Sequence, residues 1–223
     1  SSGAYNILLE KLILDGSALE GVAFELSEEV IGTGERTAAS NVTGILSSGS
    51  AADLSTAAIT YTSSNPDAAT VDKDTGIISA VSEGSTEITV NVTLGGVKQT
   101  ASKTLLVDDD YKVDTVEIVG ADTLALSTAG QLNLRGILRN GSTVAIPANN
   151  AVFEIVNQNP PGAVSLLGSG SIQGNAPGSA TFRATVTYRG IVFTSNDFTV
   201  NVVEKIGADV VGQPGDADVP GQA

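Results

Sequence analysis

The sequence lacks several residue types on which common catalytic and metal-binding sites depend. It contains no Cys, His, Met or Trp among its 223 residues. Without Cys and His, the chain has no disulfide, no zinc-finger ligand set, and no Ser-His-Asp or Cys-His pair for nucleophilic catalysis. Aromatic residues are also scarce, at four Tyr and five Phe. Few rings are therefore available on which sugars or unpaired bases could stack.

Basic residues are few compared with acidic ones. Lys and Arg together number 11 and Asp and Glu 25, which gives a formal net charge of −14 at pH 7. Such a charge repels a phosphate backbone and an anionic bilayer, so we expect no nucleic-acid partner. No apolar run approaches the roughly 18 residues of a membrane span, so we expect no membrane insertion. The charge instead favours solubility and interaction with divalent cations.

The residues that are abundant favour strands and turns. The chain has 24 Val, 15 Ile and 22 Thr, interrupted by 25 Gly and 7 Pro. Apolar and polar residues alternate most clearly at 88–92 and 182–186, as strands with one buried face require. Each run leads to a glycine-containing turn and then to a second run, at 97–107 or 191–203. This pattern predicts two β-hairpins.

An internal repeat organises the chain. A shift of 94 residues aligns much of each half, and a shift of 92 aligns the part just upstream. The aligned residues include Asn65-Pro66 with Asn159-Pro160, Gly76 with Gly170, Gly84 with Gly178, Ile88 with Phe182, and Tyr61 with Phe153. A repeat of this length predicts two homologous domains rather than a solenoid. Several short alternating strands in each copy predict an Ig-like sandwich.

These patterns predict an all-β fold of two tandem Ig-like antiparallel β-sandwich domains. We place module 1 at residues 19–107 and module 2 at 113–203, joined by an acidic hinge at 108–112. Segment 1–18 is either an extra strand or the end of a preceding module. Segment 204–223 is either a linker or the start of a further module.

Module 1 carries a recognisable series of motifs. Residues 60–72 read Thr-Tyr-Thr-Ser-Ser-Asn-Pro-Asp-Ala-Ala-Thr-Val-Asp, followed by a glycine turn at 76–80 and Gly-Ser-Thr-Glu-Ile-Thr-Val at 84–90. This closely resembles the bacterial Ig-like domain of group 2. Module 2 resembles the same family in degenerate form, without the Ala-Thr-Val-Asp string. The likeness covers about residues 19–203.

The resemblance indicates the kinds of protein in which such domains occur rather than a reaction that they catalyse. Such domains recur in surface-layer proteins, in intimin- and invasin-like adhesins, and as spacers in secreted or surface-anchored polysaccharide enzymes. A chain without Cys, Met or His and rich in Thr, Val, Ala and Gly looks most like a surface-layer protein. We therefore expect a non-catalytic fragment of such a protein, with no catalytic residues and no required cofactor.

This expected fragment is a spacer and assembly unit on the extracellular face of a bacterial cell surface or cell wall. Its partners would be other copies of the parent protein, or cell-wall or host surface components. The alternative is an adhesin, or a carbohydrate- or protein-binding accessory module of a secreted or surface-anchored enzyme. Loops of a sandwich can bind proteins with no signature in the sequence.

Two acidic stretches are candidate cation sites. Asp108, Asp109 and Asp110 lie at the predicted hinge, where three consecutive carboxylates repel one another and attract a hard cation such as Ca²⁺. The alternative is a solvated acidic linker. Asp72 opens a stretch that begins like an EF-hand loop, but Asp and Gly at this spacing also suit a hairpin turn. There we predict a turn rather than a metal site.

Overall fold

A computed structural model describes residues 17–204 of the chain. The predictions for segments 1–18 and 204–223 therefore lie outside the described residues, except for residues 17, 18 and 204. The described part consists of β-strands with two short 3-10 helices, Asp109–Tyr111 and Ala148–Asn150. The predicted all-β, Ig-like sandwich class is confirmed. Neither of these helices has the length or apolar character needed to cross a membrane.

Eight strands come from the first half of the chain. They are β1 (Leu19–Leu26), β2 (Val30–Ile31), β3 (Arg36–Leu46), β4 (Ala58–Ser63), β5 (Ala69–Val71), β6 (Ile77–Ala80), β7 (Gly84–Leu94) and β8 (Val97–Val107). One sheet has the order β1-β3-β6-β5, and the other has the order β2-β8-β7-β4. The neighbours are antiparallel except for the short parallel pair β2 and β8.

Eleven strands come from the second half of the chain. They are β9 (Val113–Val119), β10 (Thr123–Ala125), β11 (Ala129–Gln131), β12 (Asn133–Leu138), β13 (Thr143–Ile146), β14 (Ala151–Asn159), β15 (Val164–Gly168), β16 (Ser171–Gly174), β17 (Gly178–Tyr188), β18 (Ile191–Thr194) and β19 (Phe198–Val203). The sheets have the orders β10-β19-β17-β14, β11-β16-β15 and β13-β12-β9, and β18 also pairs with β17. The order β10-β19-β17-β14 repeats β2-β8-β7-β4, including its parallel first pair. The repeated sequence thus forms a repeated sheet.

Strands β7 and β8 form the first predicted hairpin and pair along their full lengths. Gly95 and Gly96 connect them with φ angles of 57° and 82°, the conformation that a two-residue turn of this kind requires. Alternation along β7 turns Ile88, Val90 and Val92 to the interior, where each is fully buried. The two glycines and the period of two therefore account for this hairpin.

The second hairpin forms at the predicted turn but differs beyond it. Arg189 and Gly190 form the turn, with φ angles of 48° and 78°. The predicted run 191–203 is divided into β18 and β19, because Ser195 is buried between them. Its Oγ accepts a hydrogen bond from Ala184 N, and its own N–H donates to Ala184 O. A side-chain acceptor thus replaces a backbone one, which interrupts the ladder.

The chain divides into two compact units. Unit 1 contains residues 17–116, 135–146 and 186–193 of the described part, and unit 2 contains 117–134, 147–185 and 194–204. This division follows packing rather than the sequence repeat. The module boundaries at 19–107 and 113–203 therefore stay a prediction.

Each unit has its own hydrophobic core. In unit 1 the core draws on both sheets, with Phe24 from β1, Ile78 from β6, Ile88 from β7 and Leu105 from β8. In unit 2 the fully or almost fully buried apolar side chains include Leu132, Ile172, Phe182 and Val200.

The glycine turns that the repeat aligns lie against equivalent aromatic rings. Gly76 has a φ of 72°, and a Cβ there would lie 3.0 Å from Cζ of Tyr61. Gly170 has a φ of 80°, and a Cβ there would lie 3.1 Å from Cζ of Phe153. Both positions also bring the added Cβ against a backbone carbonyl oxygen. Each position therefore requires glycine, because its φ is positive and because a side chain there would collide with its neighbours.

Candidate functional site

The predicted acidic hinge begins as a capped turn in unit 1. Residues Asp109–Tyr111 form one turn of 3-10 helix, and Asp108 precedes it in an extended conformation. The Asp108 carboxylate accepts a hydrogen bond from Asp110 N at 2.9 Å, and Asp108 O accepts one from Tyr111 N at 3.0 Å. The Asp108 carboxylate therefore caps the turn, because it accepts a hydrogen bond from a backbone N–H that has no partner within the turn.

The second carboxylate of the run is engaged through both of its oxygens. Asp109 Oδ1 accepts hydrogen bonds from Thr33 N at 2.7 Å and Thr33 Oγ1 at 2.8 Å, and Oδ2 lies 3.0 Å from Arg139 Nη1. The bonds from Thr33, followed by the positive charge of Arg139, hold the pKa of Asp109 below the ordinary Asp value despite some desolvation. Its stabilising contribution is present above the ordinary carboxyl pKa and is lost as the pH falls.

The structure thus gives Asp108, Asp109 and Asp110 different surroundings. Asp108 caps the turn and Asp109 pairs with an arginine, while Asp110 is exposed. Among residues 17–204, no group of three or more acidic side chains is arranged to hold a metal ion. Calcium binding at this turn stays a prediction, and a bound ion would compete with Arg139 for Asp109.

If calcium binds at the acidic turn, the thermal midpoint of the chain should be higher in Ca²⁺ than in a chelator. A ligand that binds only the folded state stabilises it by about 2.7 kcal/mol at a hundredfold excess over its dissociation constant. Asp110→Asn should reduce this increase, whereas Asp67→Asn, which changes another exposed acid, should leave it intact. Equal midpoints with Ca²⁺ and with chelator would rule out the site.

The second acidic stretch forms the predicted turn between β5 and β6. Asp72 Oδ1 accepts hydrogen bonds from Asp74 N at 3.1 Å, Thr75 N at 2.8 Å and Thr75 Oγ1 at 2.8 Å. Gly76 N in turn donates to Asp72 O at 3.0 Å. The Asp72 side chain is therefore used to fix the backbone of the turn, as predicted.

Glu35 is a buried acid in unit 1 that sequence analysis does not single out. Its side chain is completely inaccessible to solvent. Its Oε2 accepts a hydrogen bond from Gly32 N at 2.8 Å and its Oε1 accepts one from Val113 N at 2.8 Å. Arg189 Nη1 lies 3.1 Å from Oε2. The carboxylate thus pairs with a cation and accepts two backbone N–H groups, as a buried charge requires.

Arg189 is the cation of this cluster, and only 7% of its side chain is exposed. Its Nη2 lies 3.1 Å from Glu28 Oε2, and its Nη1 donates to Tyr111 O at 3.1 Å. Tyr188 adds its ring, 5.3 Å below the guanidinium, and its hydroxyl donates to Glu28 Oε1. Burial lowers the pKa of Arg189, but the carboxylates outweigh this effect, so the pKa lies above the ordinary arginine value. The side chain therefore stays protonated.

The arrangement around Glu35 and Arg189 fixes loops rather than presenting reactive groups. The acid accepts hydrogen bonds from the backbone, and the arginine donates to carboxylates and to a carbonyl. Neither group is aimed at an open surface, because both are buried. No local signal marks Glu35 in advance, since Gly34-Glu35-Arg36 reads like an ordinary exposed turn.

One protein family matches part of the chain. Residues 38–105 match the bacterial Ig-like domain (group 2). The predicted resemblance is therefore confirmed over this range, which covers most of β3 to β8. The chain has no significant match among curated proteins.

Several solved structures are similar at low identity. Domains 5-6 of the S-layer protein SbsC share 19% identity with a TM-score of 0.39, over 84% of this chain and 99% of that one. The S-layer protein rSbsC(31-844) shares 15% identity with a TM-score of 0.35, and the match covers 84% of this chain and 29% of that longer one. Human Protocadherin-24 EC1-2 shares 14% identity with a TM-score of 0.30, over 84% of this chain and 100% of that one. At such values these similarities carry no conclusion about function.

Proposed function

We propose that this chain is a non-catalytic structural module of a bacterial cell-surface protein, specifically a surface-layer protein fragment that acts as spacer and assembly unit. The observation that carries the proposal is a sheet arrangement that occurs twice in one chain, with buried charges that tie loops together. Glu35 and Arg189 are engaged in such ties, and the partly exposed Asp109 makes a further one to Thr33 and Arg139. Side chains held in this way support a fixed shape rather than a reaction.

Composition and family resemblance support the same role. A chain without His or Cys lacks the residues of the commonest nucleophilic and metal-dependent catalytic sites. Residues 38–105 match the bacterial Ig-like domain (group 2), and the resemblance to that family favours an extracellular location on the cell surface or cell wall. The domain family and the absence of His and Cys therefore both favour a structural role.

The charge and the sheet edges provide a route to assembly. The net charge of −14 keeps copies of the chain apart until Ca²⁺ or a partner surface screens it. Strands β1, β2, β4 and β5 lie at the ends of their sheets, and the edge of a sheet is where another chain can pair. We propose that other copies of the parent protein, or components of the cell wall, contact the chain at such edges.

Assembly of the parent protein tests the proposal. The parent should form ordered sheets or large particles when Ca²⁺ is added, visible by electron microscopy and by an increase in scattering mass. A parent that remains strictly monomeric with and without Ca²⁺ would count against the assembly role. If the same chain then bound a glycan array or cell-wall material, the binding-module alternative would replace it.

A further inference from the structure

Three segments that are far apart in the sequence meet at one buried ion pair in unit 1. They are residues 28–36, 111–113 and 186–193, and the pair is Glu35 with Arg189. We propose that this pair, here called the Glu35–Arg189 latch, makes the three segments open and close as one unit. The latch goes beyond the proposed role, because it concerns unit 1 wherever the parent protein works.

The carboxylate joins all three segments by itself. Glu35 Oε2 accepts from Gly32 N within its own segment, and Oε1 accepts from Val113 N of the second segment. The third segment reaches the same carboxylate through Arg189 Nη1 at 3.1 Å. Withdrawal of Glu35 therefore breaks bonds to every segment at the same time.

Arg189, in the third segment, also contacts both of the other segments. Its backbone carbonyl accepts a hydrogen bond from Arg36 N at 2.7 Å. Its guanidinium pairs with Glu28 and donates to Tyr111 O, so it contacts the first and second segments independently of Glu35. No segment can leave without breaking a contact to Arg189 or to Glu35.

Burial makes partial opening costly. Glu35 is fully inaccessible and Arg189 nearly so, and a buried charge left without its partner loses far more than an exposed one. Detachment of 28–36 or of 186–193 alone would carry that penalty. Detachment of 111–113 alone would leave Glu35 Oε1 without its donor and Arg189 Nη1 without the Tyr111 carbonyl, whereas a fully open state returns both charges to water. The latch should therefore behave as two-state, either closed or open.

One unpaired donor of the latch raises the free energy of the closed state and so favours opening. Arg189 Nε is buried and has no hydrogen-bond partner within the described residues. An unmet donor costs free energy in the closed state and regains a bond to water on opening. The closed state is thus well connected but carries a built-in penalty.

Amide hydrogen exchange of the full 223-residue chain tests the latch directly. The N–H groups of Gly32, Arg36 and Val113 each depend on the pair and come from two of the segments. In the unaltered chain we expect these three amides to share one opening free energy and one denaturant dependence. Different values for the three would show independent openings and overturn the proposal without any variant.

A pair of arginine substitutions provides the control. Arg189→Gln should accelerate exchange at Gly32, Arg36 and Val113 by one common factor, roughly a hundredfold or more. Arg183→Gln, which removes an exposed pair with Asp197 in unit 2, should leave all three unchanged. Acceleration confined to Arg36, whose N–H bonds the arginine backbone, would contradict the latch.

Discussion

Phe182→Ala is expected to lower the free energy of unfolding by about 3–5 kcal/mol. Phe182 is fully inaccessible and is the largest of the fully buried side chains in the described part of the chain. It lies in β17, opposite Phe198 of β19, within the core of unit 2. Its truncation removes the burial of a whole ring and leaves a cavity that rigid strands on both sides cannot fill.

Denaturant unfolding followed by circular dichroism measures this loss. Val192→Ala is the matched control, since it also shortens an apolar strand residue but one that is 66% exposed. We expect the control to change stability by no more than about 0.5 kcal/mol. A similar loss for the two variants would mean that Phe182 is not the core residue that its burial indicates.

Glu35→Ala is expected to cost a comparable amount, about 3–5 kcal/mol, although it removes a charge from an acidic protein. The substitution leaves the buried Arg189 with only the partly exposed Glu28 as a carboxylate partner, and it removes the acceptor of Gly32 N and Val113 N. Relief of net negative charge works in the other direction but is weak at ordinary salt, because exposed charges are screened. Loss of the buried pair should dominate.

The exposed Glu25 provides the control for Glu35. Its carboxylate accepts one exposed hydrogen bond from Asn41 Nδ2, so Glu25→Ala should change stability by about 0.5 kcal/mol or less. Thermal and denaturant unfolding of both variants give the comparison. The double variant Glu35→Leu with Arg189→Met should recover part of the loss, since it removes both charges of the pair while Gly32 N and Val113 N still lack their acceptor. A Glu35→Ala loss no larger than that of Glu25→Ala would refute the role assigned to the buried acid.

The fold could be predicted from sequence where it depends on local rules. The hairpin turn at Gly95-Gly96 follows from the need for positive φ at two adjacent residues, and the strands around it follow from alternation. The Ser63-Ser64-Asn65 part of the family motif is explained by a contact with the neighbouring strand β7. The buried Thr86 hydroxyl lies 2.8 Å from Ser63 Oγ and accepts from Asn65 N at 3.0 Å. These motif residues are therefore explained by hydrogen bonds that hold the turn after β4 to Thr86.

Features that depend on distant contacts could not be predicted. Glu35 and Arg189 are 154 residues apart, and neither has neighbours in the sequence that mark it as buried. Ser195 looks like any serine in a strand, yet its side chain interrupts the ladder opposite Ala184. The parallel pairing of β2 with β8 likewise follows from tertiary packing, since two residues carry no strand signal of their own.

The candidate calcium site illustrates the same limit. Composition identifies Asp108, Asp109 and Asp110 as a cluster of charge, but it cannot identify the partners of each carboxylate. In the fold, Thr33 and Arg139 reach Asp109 from segments that are 76 and 30 residues away. Neighbouring acids in the sequence therefore have different roles, because the groups that bind each of them come from distant segments that only the tertiary structure brings close.

Immunogold labelling of intact cells that produce this protein provides the sharpest test of a surface-layer role. An antibody raised against this chain should label the outside of unpermeabilised cells densely and at regular spacing, as expected of a structural component of a surface coat. Labelling that appears only after the cells are opened would show that the protein is not part of a surface coat.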